Sequence, residues 1–237
     1  MGVFSGKRVL VLGGSRGIGA AIVRRLAAEG AAVSFTFSGS QDQAEQLARE
    51  TGAEAARTDS ADRDAVIARV RDSGPLDVLV VNAGVAMMGD ALELDADEVD
   101  RMFRINIHAP YHAAVEAARQ MRDGGRIIVI GSVSGGYVGF AGLSAYALTK
   151  SAVQGLVRGL AREFGPRGIT VNAVQPGPVD TDMNPADGPL KEMLHGMMPI
   201  KRHGRPEEVA GMVAYLAGPE AGFVTGALHT IDGGFAA

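Results

Sequence analysis

Short aliphatic runs alternate with helical patterns along this chain, and no other feature constrains its fold as strongly. The strand candidates are Arg8–Leu12, Ala32–Phe37, Leu76–Val81, Arg126–Ile130, Ile169–Val174 and Ala227–Ile231, with a weaker one near Glu54–Thr58. Most are apolar almost throughout, which suits parallel strands covered by helices on both faces. Between them, Ile18, Ile22 and Leu26 recur at four-residue steps, and Gly30 is placed to end that helix. Asp95 and Glu98 have the spacing of a capping box, ahead of Val99, Met102 and Phe103 on one face. The alternation predicts an α/β fold, a doubly wound parallel sheet of about seven strands with helices on both faces.

No linker, repeat or charge block interrupts the pattern, so residues 1–237 are expected to form one domain. The irregular part is a Gly-, Pro- and Met-rich stretch at about 180–206, long enough inside a compact domain to suggest a substrate loop. A net charge of -4 gives no electrostatic reason to expect nucleic acid or an anionic membrane surface. The chain has no cysteine, which excludes disulfides, thiol catalysis and cysteine-ligated metals. No acidic cluster or multi-histidine spacing suggests a catalytic metal. No apolar run approaches the ~18 residues of a membrane span, and Met1–Lys7 lacks a signal-peptide layout, so a cytoplasmic location is expected.

Directly after the first strand comes Gly13-Gly14-Ser15-Arg16-Gly17-Ile18-Gly19, followed by a helix. Glycines at 13, 17 and 19 permit a tight turn, close approach to a pyrophosphate and close helix–strand packing. The helix N-terminus then offers free N–H groups to the phosphates. Strand, glycines and helix together predict a dinucleotide-binding Rossmann fold. The second strand ends in Ser38-Gly39-Ser40, without the acid that would bind a ribose 2′-hydroxyl and repel a 2′-phosphate. Arg16, Ser38 and Ser40 are candidates to hold that phosphate, which favours NADPH over NADH. The competing reading of Arg16 is a solvated loop arginine.

Tyr146 and Lys150 are four residues apart in a helical stretch that continues through Val153 and Val157 on the same face. A lysine so placed would lower the tyrosine pKa from its ordinary ~10 and make the phenol a usable acid near neutrality. Ser132 follows the strand Arg126–Ile130, at a carboxyl end where open α/β sheets place ligands. Asn106 shares the Val99/Met102/Phe103 face, as a core amide or as a functional one.

These residues resemble the short-chain dehydrogenase/reductases over essentially the whole chain. The resemblance is carried by the glycine turn 13–19, Asp59-Ser60, Asn82-Ala83-Gly84, Asn106 and Ser132. It continues through Tyr146-x-x-x-Lys150, Pro176-Gly177 with Thr181, and Thr230–Gly234. It implies that Asp59 and Ser60 contact adenine, and that Asn82, Ala83 and Gly84 line the cofactor cleft. It further implies that Pro176, Gly177, Val179 and Thr181 border the nicotinamide, with Val179 and Thr181 holding its carboxamide. In the same way Tyr146 gives a proton to the substrate oxygen, Ser132 hydrogen-bonds that oxygen, and Asn106 supports a proton relay. Lys150 binds the nicotinamide ribose and lowers the tyrosine pKa. The implied activity is reversible reduction of a ketone or aldehyde, by a homotetramer pairing through helices near 98–120 and 146–164 with the C-terminal end as another contact, or by a homodimer.

Three positions depart from the family pattern. Leu12 replaces a usual Thr and Val81 a usual Asn, which is expected to loosen local hydrogen bonding. An extra residue separates Ser132 from Tyr146 and should reshape the substrate pocket, with Ser134 as the alternative serine. A narrower resemblance, at 107–112, 165–170, 175–178 and 200–204, is to an enterobacterial branch whose ligand is cyclic-di-GMP. It implies sequestration of that ligand as the alternative function, and a cofactor-gated regulator is a third. Arg16, Lys201, Arg202, His203 and Arg205 are the candidate anion contacts, although 201–205 equally suits a solvated turn. Met87, Met88, Met183, Met193, Met197 and Met198 suit an adaptable apolar pocket, or core filler.

Overall fold

The computed structural model describes residues 2–237 and contains one seven-stranded sheet. Its strands are β1 (Arg8–Leu12), β2 (Ala32–Phe37), β3 (Glu54–Arg57), β4 (Val78–Val81), β5 (Arg126–Ile130), β6 (Thr170–Pro176) and β7 (Leu228–Ile231). The order is β3-β2-β1-β4-β5-β6-β7, with every neighbouring pair parallel. The chain therefore winds outward in both directions from the β1/β4 boundary, where a crevice opens beyond the carboxyl ends. The weakest strand candidate, near Glu54, is the real edge strand β3.

The helices are α1 (Gly17–Ala28), α2 (Gln41–Thr51), α3 (Arg63–Asp72), α4 (Ala96–Phe103), α5 (Ala109–Gln120), α6 (Ser144–Phe164), α7 (Lys191–Met197) and α8 (Pro206–Ala217). Alternation along the strands divides the core between two faces. Val9 and Val11 of β1 pack with α1, α2 and α8, whereas Leu10 and Leu12 pack with α3, α5 and α6. Burial on both faces explains the continuous apolar runs.

Local signals behaved as their chemistry requires. Gly30 adopts φ +95 after α1 and its N–H donates to the Ala27 carbonyl (2.9 Å), closing the helix. Asp95 caps α4 by accepting from the Glu98 N–H (3.0 Å); among the described contacts the return bond from Glu98 is not made. The helical pattern at 98–120 is interrupted by a π turn at Arg104–His108, where the Ala109 N–H reaches back to the Arg104 carbonyl. Pro110, without an N–H, follows at once, and the wider turn accommodates it. The stretch 180–206 is not wholly irregular, since α7 lies within it. Its seven residues include Gly196 and carry too little periodicity to announce a helix. Among the described residues no helix is long and apolar enough to cross a membrane.

Candidate active site

A cleft of about 570 Å³ opens at the carboxyl ends of the strands. Gly13, Ser15, Arg16, Gly17, Ile18, Ser38, Ser40, Asp59, Ser60, Asn82, Ala83, Gly84, Ser132, Tyr146, Lys150, Pro176, Gly177, Val179 and Thr181 all line it. Two expected residues do not. Gly19 lies beneath the glycine turn, and Asn106 is buried behind the wall.

The glycine turn is shaped by near contact. A Cβ on Gly13, which has φ +78, would sit 2.7 Å from the Ala83 Cα. One on Gly19 would sit 2.1 Å from the Gly13 carbonyl oxygen and 2.6 Å from Asn82 Nδ2. Real Cβ atoms do not approach so closely, so both positions require glycine. Gly14, which the sequence pattern did not single out, is equally constrained: its Cβ would meet Phe35 at 2.5 Å. The Gly13 N–H donates to Thr36 Oγ1 (2.9 Å), and Asn82 Nδ2 donates to the Gly13 carbonyl (2.6 Å). The N-terminus of α1 has no side-chain cap and faces the cleft with its free N–H groups. Leu12 and Val81 supply no side-chain donor or acceptor here, and main-chain bonds hold the two segments together. The Leu12 carbonyl accepts from the N–H groups of Asn82 (3.0 Å) and Ala83 (2.8 Å), so backbone makes the connection.

At the end of β2, Ser15 and Ser40 share a hydroxyl hydrogen bond of 2.6 Å. Arg16 is exposed and ion-paired to Asp182 across the cleft mouth (3.4 Å). Arg101 of α4 lines the cleft beside Asp59, at 3.7 Å. Asp182 and Arg101 escaped the sequence reading because neither lies in a local motif.

Ser132, Tyr146 and Lys150 converge where β5 meets α6. Lys150 is 6% exposed, and its Nζ donates to the Ile130 carbonyl (3.2 Å) and lies 5.7 Å from the centre of the Tyr146 ring. Burial pulls the lysine down to about 8, because a low-dielectric pocket disfavours the ammonium. The same burial raises the Tyr146 phenol above its ordinary value, and the Ser132 hydroxyl draws it back. The expectation of a depressed phenol is therefore corrected for the cofactor-free chain: desolvation outweighs the hydroxyl contact. That contact distinguishes Ser132 from Ser134, whose N–H donates to Ser132 Oγ (3.1 Å).

Asn106 is 2% exposed and fully engaged. Its Oδ1 accepts from the Val85 N–H (3.0 Å), while Nδ2 donates to the Val85 carbonyl (2.8 Å) and Thr149 Oγ1 (3.1 Å). Thr149 in turn donates to the Tyr146 carbonyl (2.7 Å). Asn106 thus ties the segment after β4 to the start of α6.

The substrate end of the cleft is walled by Met88, Val133, Phe140, Leu143, Met183, Leu190, Leu194 and Phe235. Of the six methionines singled out by sequence, only Met88 and Met183 line the cleft, and Met198 is core. In the basic turn at 201–205, Arg202 makes two 2.8 Å bonds to Glu208 and His203 is buried against His195 (2.9 Å), whereas Lys201 and Arg205 are exposed and lie outside the cleft lining.

A glycine turn over a helix N-terminus, with a Ser-Tyr-Lys cluster at the end of β5, places the chain among the short-chain dehydrogenase/reductases. It belongs to that family of NAD(P)-dependent oxidoreductases, and the family model described as Enoyl-(Acyl carrier protein) reductase matches residues 13–236. It is 70% identical over 237 residues to the cyclic-di-GMP-binding biofilm dispersal mediator protein of Escherichia coli (strain K12), covering 100% of both chains. The crystal structure of BdcA in complex with NADPH superposes with a TM-score of 0.99 at 70% identity, covering 100% of this chain and 97% of that one. A short-chain dehydrogenase/reductase from Serratia marcescens BCRC 10948 gives a TM-score of 0.95 at 53% identity, over 99% of both chains.

Proposed function

We propose that this chain reduces a ketone or aldehyde to an alcohol, reversibly, with NADPH, and that Tyr146 is the proton donor. The convergence of Ser132, Tyr146 and Lys150 on one cleft with the glycine turn carries this reading. A glycine turn drawn tight because a Cβ at Gly13 or Gly19 would collide with neighbouring protein atoms, next to free helix N–H groups, fits a pyrophosphate. The absence of an acid at the end of β2, with Arg16, Ser38 and Ser40 beside it, fits a 2′-phosphate. NADPH supplies the hydride when bound. Asp59 and Ser60 would hold the adenine end, and Asn82, Ala83 and Gly84 the middle of the cleft. Pro176, Gly177, Val179 and Thr181 would border the nicotinamide.

Negative charge builds on the carbonyl oxygen as the carbon is reduced, so preplaced donors there speed the step. Ser132 donates to that oxygen and Tyr146 transfers its proton to it. Lys150, beneath the tyrosine ring, favours the phenolate that remains and engages the nicotinamide ribose. Asn106 acts through Thr149 by positioning α6. Among the described residues the end lined by Phe140, Leu190, Leu194 and Phe235 is apolar and Asp182 at the mouth is paired with Arg16, which supports a neutral, medium-sized apolar carbonyl compound.

The test is a carbonyl panel with NADPH and NADH. Turnover with NADPH should fall at least 100-fold in Tyr146→Phe with cofactor affinity retained, within the range for loss of a general acid. A tenfold preference for NADH would sink the cofactor assignment.

One observation favours a second reading, the 70% identity to a protein named for cyclic-di-GMP binding. Among the described residues the cations lining the cleft are Arg16 and Arg101 at its cofactor end and Lys150 at the junction of the two ends, while Arg202 is bound to Glu208 and Lys201 and Arg205 lie outside the lining. A two-phosphate ligand would therefore displace NADPH. Tight binding that ignores saturating NADPH and survives Tyr146→Phe would count for sequestration and against this placement.

A homotetramer or homodimer is proposed to pair through α5 and α6. Between these helices lies an apolar groove of about 360 Å³, lined by Tyr111, Leu156 and Leu160 among others. Sedimentation as a monomer would refute it. The proposed location is the cytoplasm, which a fractionation with a tagged chain would test.

A further inference from the structure

Three segments distant in sequence meet at one aromatic ring. Phe235, in the last turn of the chain, is 7% exposed and packs with Val133, Leu194 and Met198, with Phe140, Leu190 and Met197 against the same cluster. The Tyr137 ring stands edge-on to it, with centroids 5.7 Å apart at 84°. Val133, Tyr137 and Phe140 belong to the loop that begins at Ser132, and Leu194 and Met197 belong to α7. Crowding here is close: a Cβ on Gly139 would lie 2.7 Å from the Met197 methyl and 3.5 Å from Phe235 Cζ.

The tail that delivers Phe235 is a built element rather than a fraying end. The Gly177 N–H donates to the Ile231 carbonyl (3.0 Å), and the Ile200 N–H to the Gly233 carbonyl (3.0 Å). Asp232 accepts from the N–H groups of Gly234 and Ala236, both at 2.9 Å. Gly233 and Gly234 take φ +64 and +84, which folds the chain back so that the ring faces the cleft. A helix of seven residues has little stability of its own, and the buried Leu194 of α7 docks on this cluster.

We infer that Phe235 sets the size of the carbonyl compound accepted, by walling the substrate end of the cleft and holding α7 against the loop that carries Ser132. This rests on the carbonyl-reductase reading and specifies its substrate class. The ring narrows the apolar end of the cleft, so of two similar neutral ketones the bulkier is disfavoured. Shortening it opens volume that neighbouring side chains refill only in part.

The experiment compares acetophenone with 2-acetonaphthone in wild type, Phe235→Ala and Phe235→Leu, alongside NADPH titration and hydrogen exchange of the NADPH-bound protein. Phe235→Ala should shift the ratio of kcat/KM at least tenfold toward the larger ketone, mainly through KM, with NADPH affinity within twofold of wild type. Phe235→Leu, which keeps an apolar side chain, should shift it at least threefold and carries the test if the alanine variant does not fold. Exchange should rise in residues 133–140 and 190–198 and stay level elsewhere. An unshifted ratio with turnover retained, or an equal fall in kcat for both ketones, would overturn the size assignment. If wild type turns over neither ketone while reducing others, the assignment also fails. If it reduces no carbonyl compound at all, the reductase reading fails instead. The exchange measurement still decides whether Phe235 holds α7, since unchanged protection at 190–198 rules that out.

Discussion

At the cofactor end of the cleft Gly13 packs against backbone: a Cβ there would lie 2.7 Å from the Ala83 Cα, and the Leu12 carbonyl fastens that segment by accepting from the Asn82 and Ala83 N–H groups. At the substrate end the wall is side chain, with Phe140, Leu190, Leu194, Met88, Met183 and Phe235 held by apolar contact. Backbone at van der Waals limit tolerates no addition, because the neighbouring atom is itself fixed by hydrogen bonds. Apolar side chains can repack, so their identities can change while the pocket persists. The first end suits a constant ligand and the second a variable one.

The comparison breaks most readily at Gly19. Gly19→Ala places a methyl 2.1 Å from the Gly13 carbonyl and 2.6 Å from Asn82 Nδ2. NADPH affinity should fall at least 100-fold, and overpacking should lower stability by roughly 1–3 kcal/mol. Calorimetric titration and denaturant unfolding measure both; wild-type affinity would show that the turn is slack.

Lys150 sits at the junction of the two ends and gives the next largest effect. An unperturbed lysine keeps its proton to about 10.5, whereas folded Lys150 keeps it only to about 8. Between those values the unfolded chain binds a proton that the folded chain does not. Stability therefore falls as pH drops through that window and levels off below about 8. Lys150→Met removes this burden, and the cofactor-free protein should gain roughly 3 kcal/mol at pH 7 while losing carbonyl reduction. Thermal melting at pH 7 and above pH 10.5 checks the sign, for the advantage should vanish at the higher pH. An equal gain at both would assign it to packing rather than charge.

The smallest effect belongs to the substrate end. A Cβ on Gly196 meets nothing within 4 Å. Gly196→Ala should leave NADPH affinity unchanged and stabilise α7 by about 0.5–1 kcal/mol. Slower hydrogen exchange in residues 191–197 would sharpen the contrast with Gly19, and loss of cofactor binding would erase it.

Much of this arrangement was legible in residue order because it is local. Strand candidates fell on the real strands since parallel strands buried on both faces must be apolar throughout. The glycine turn was readable because strand, turn and helix N-terminus are contiguous, and Tyr146 and Lys150 because four residues make one helical turn. Gly14 was not legible: its constraint comes from Phe35 on the neighbouring strand. Nor was α7, which docks through Leu194 rather than through its own periodicity.

The sequence by itself determined the sheet, the phosphate cradle and the Tyr146–Lys150 pair, since each follows from spacing over a few residues. Tertiary structure alone decided that Asn106 would be spent on Val85 and Thr149. It alone set the phenol high and the lysine low, because burial depends on what the rest of the chain brings near. It also brought Phe235 to the cleft. One apolar residue resembles another in a pattern, and only the path of the folded chain selects which of them meet.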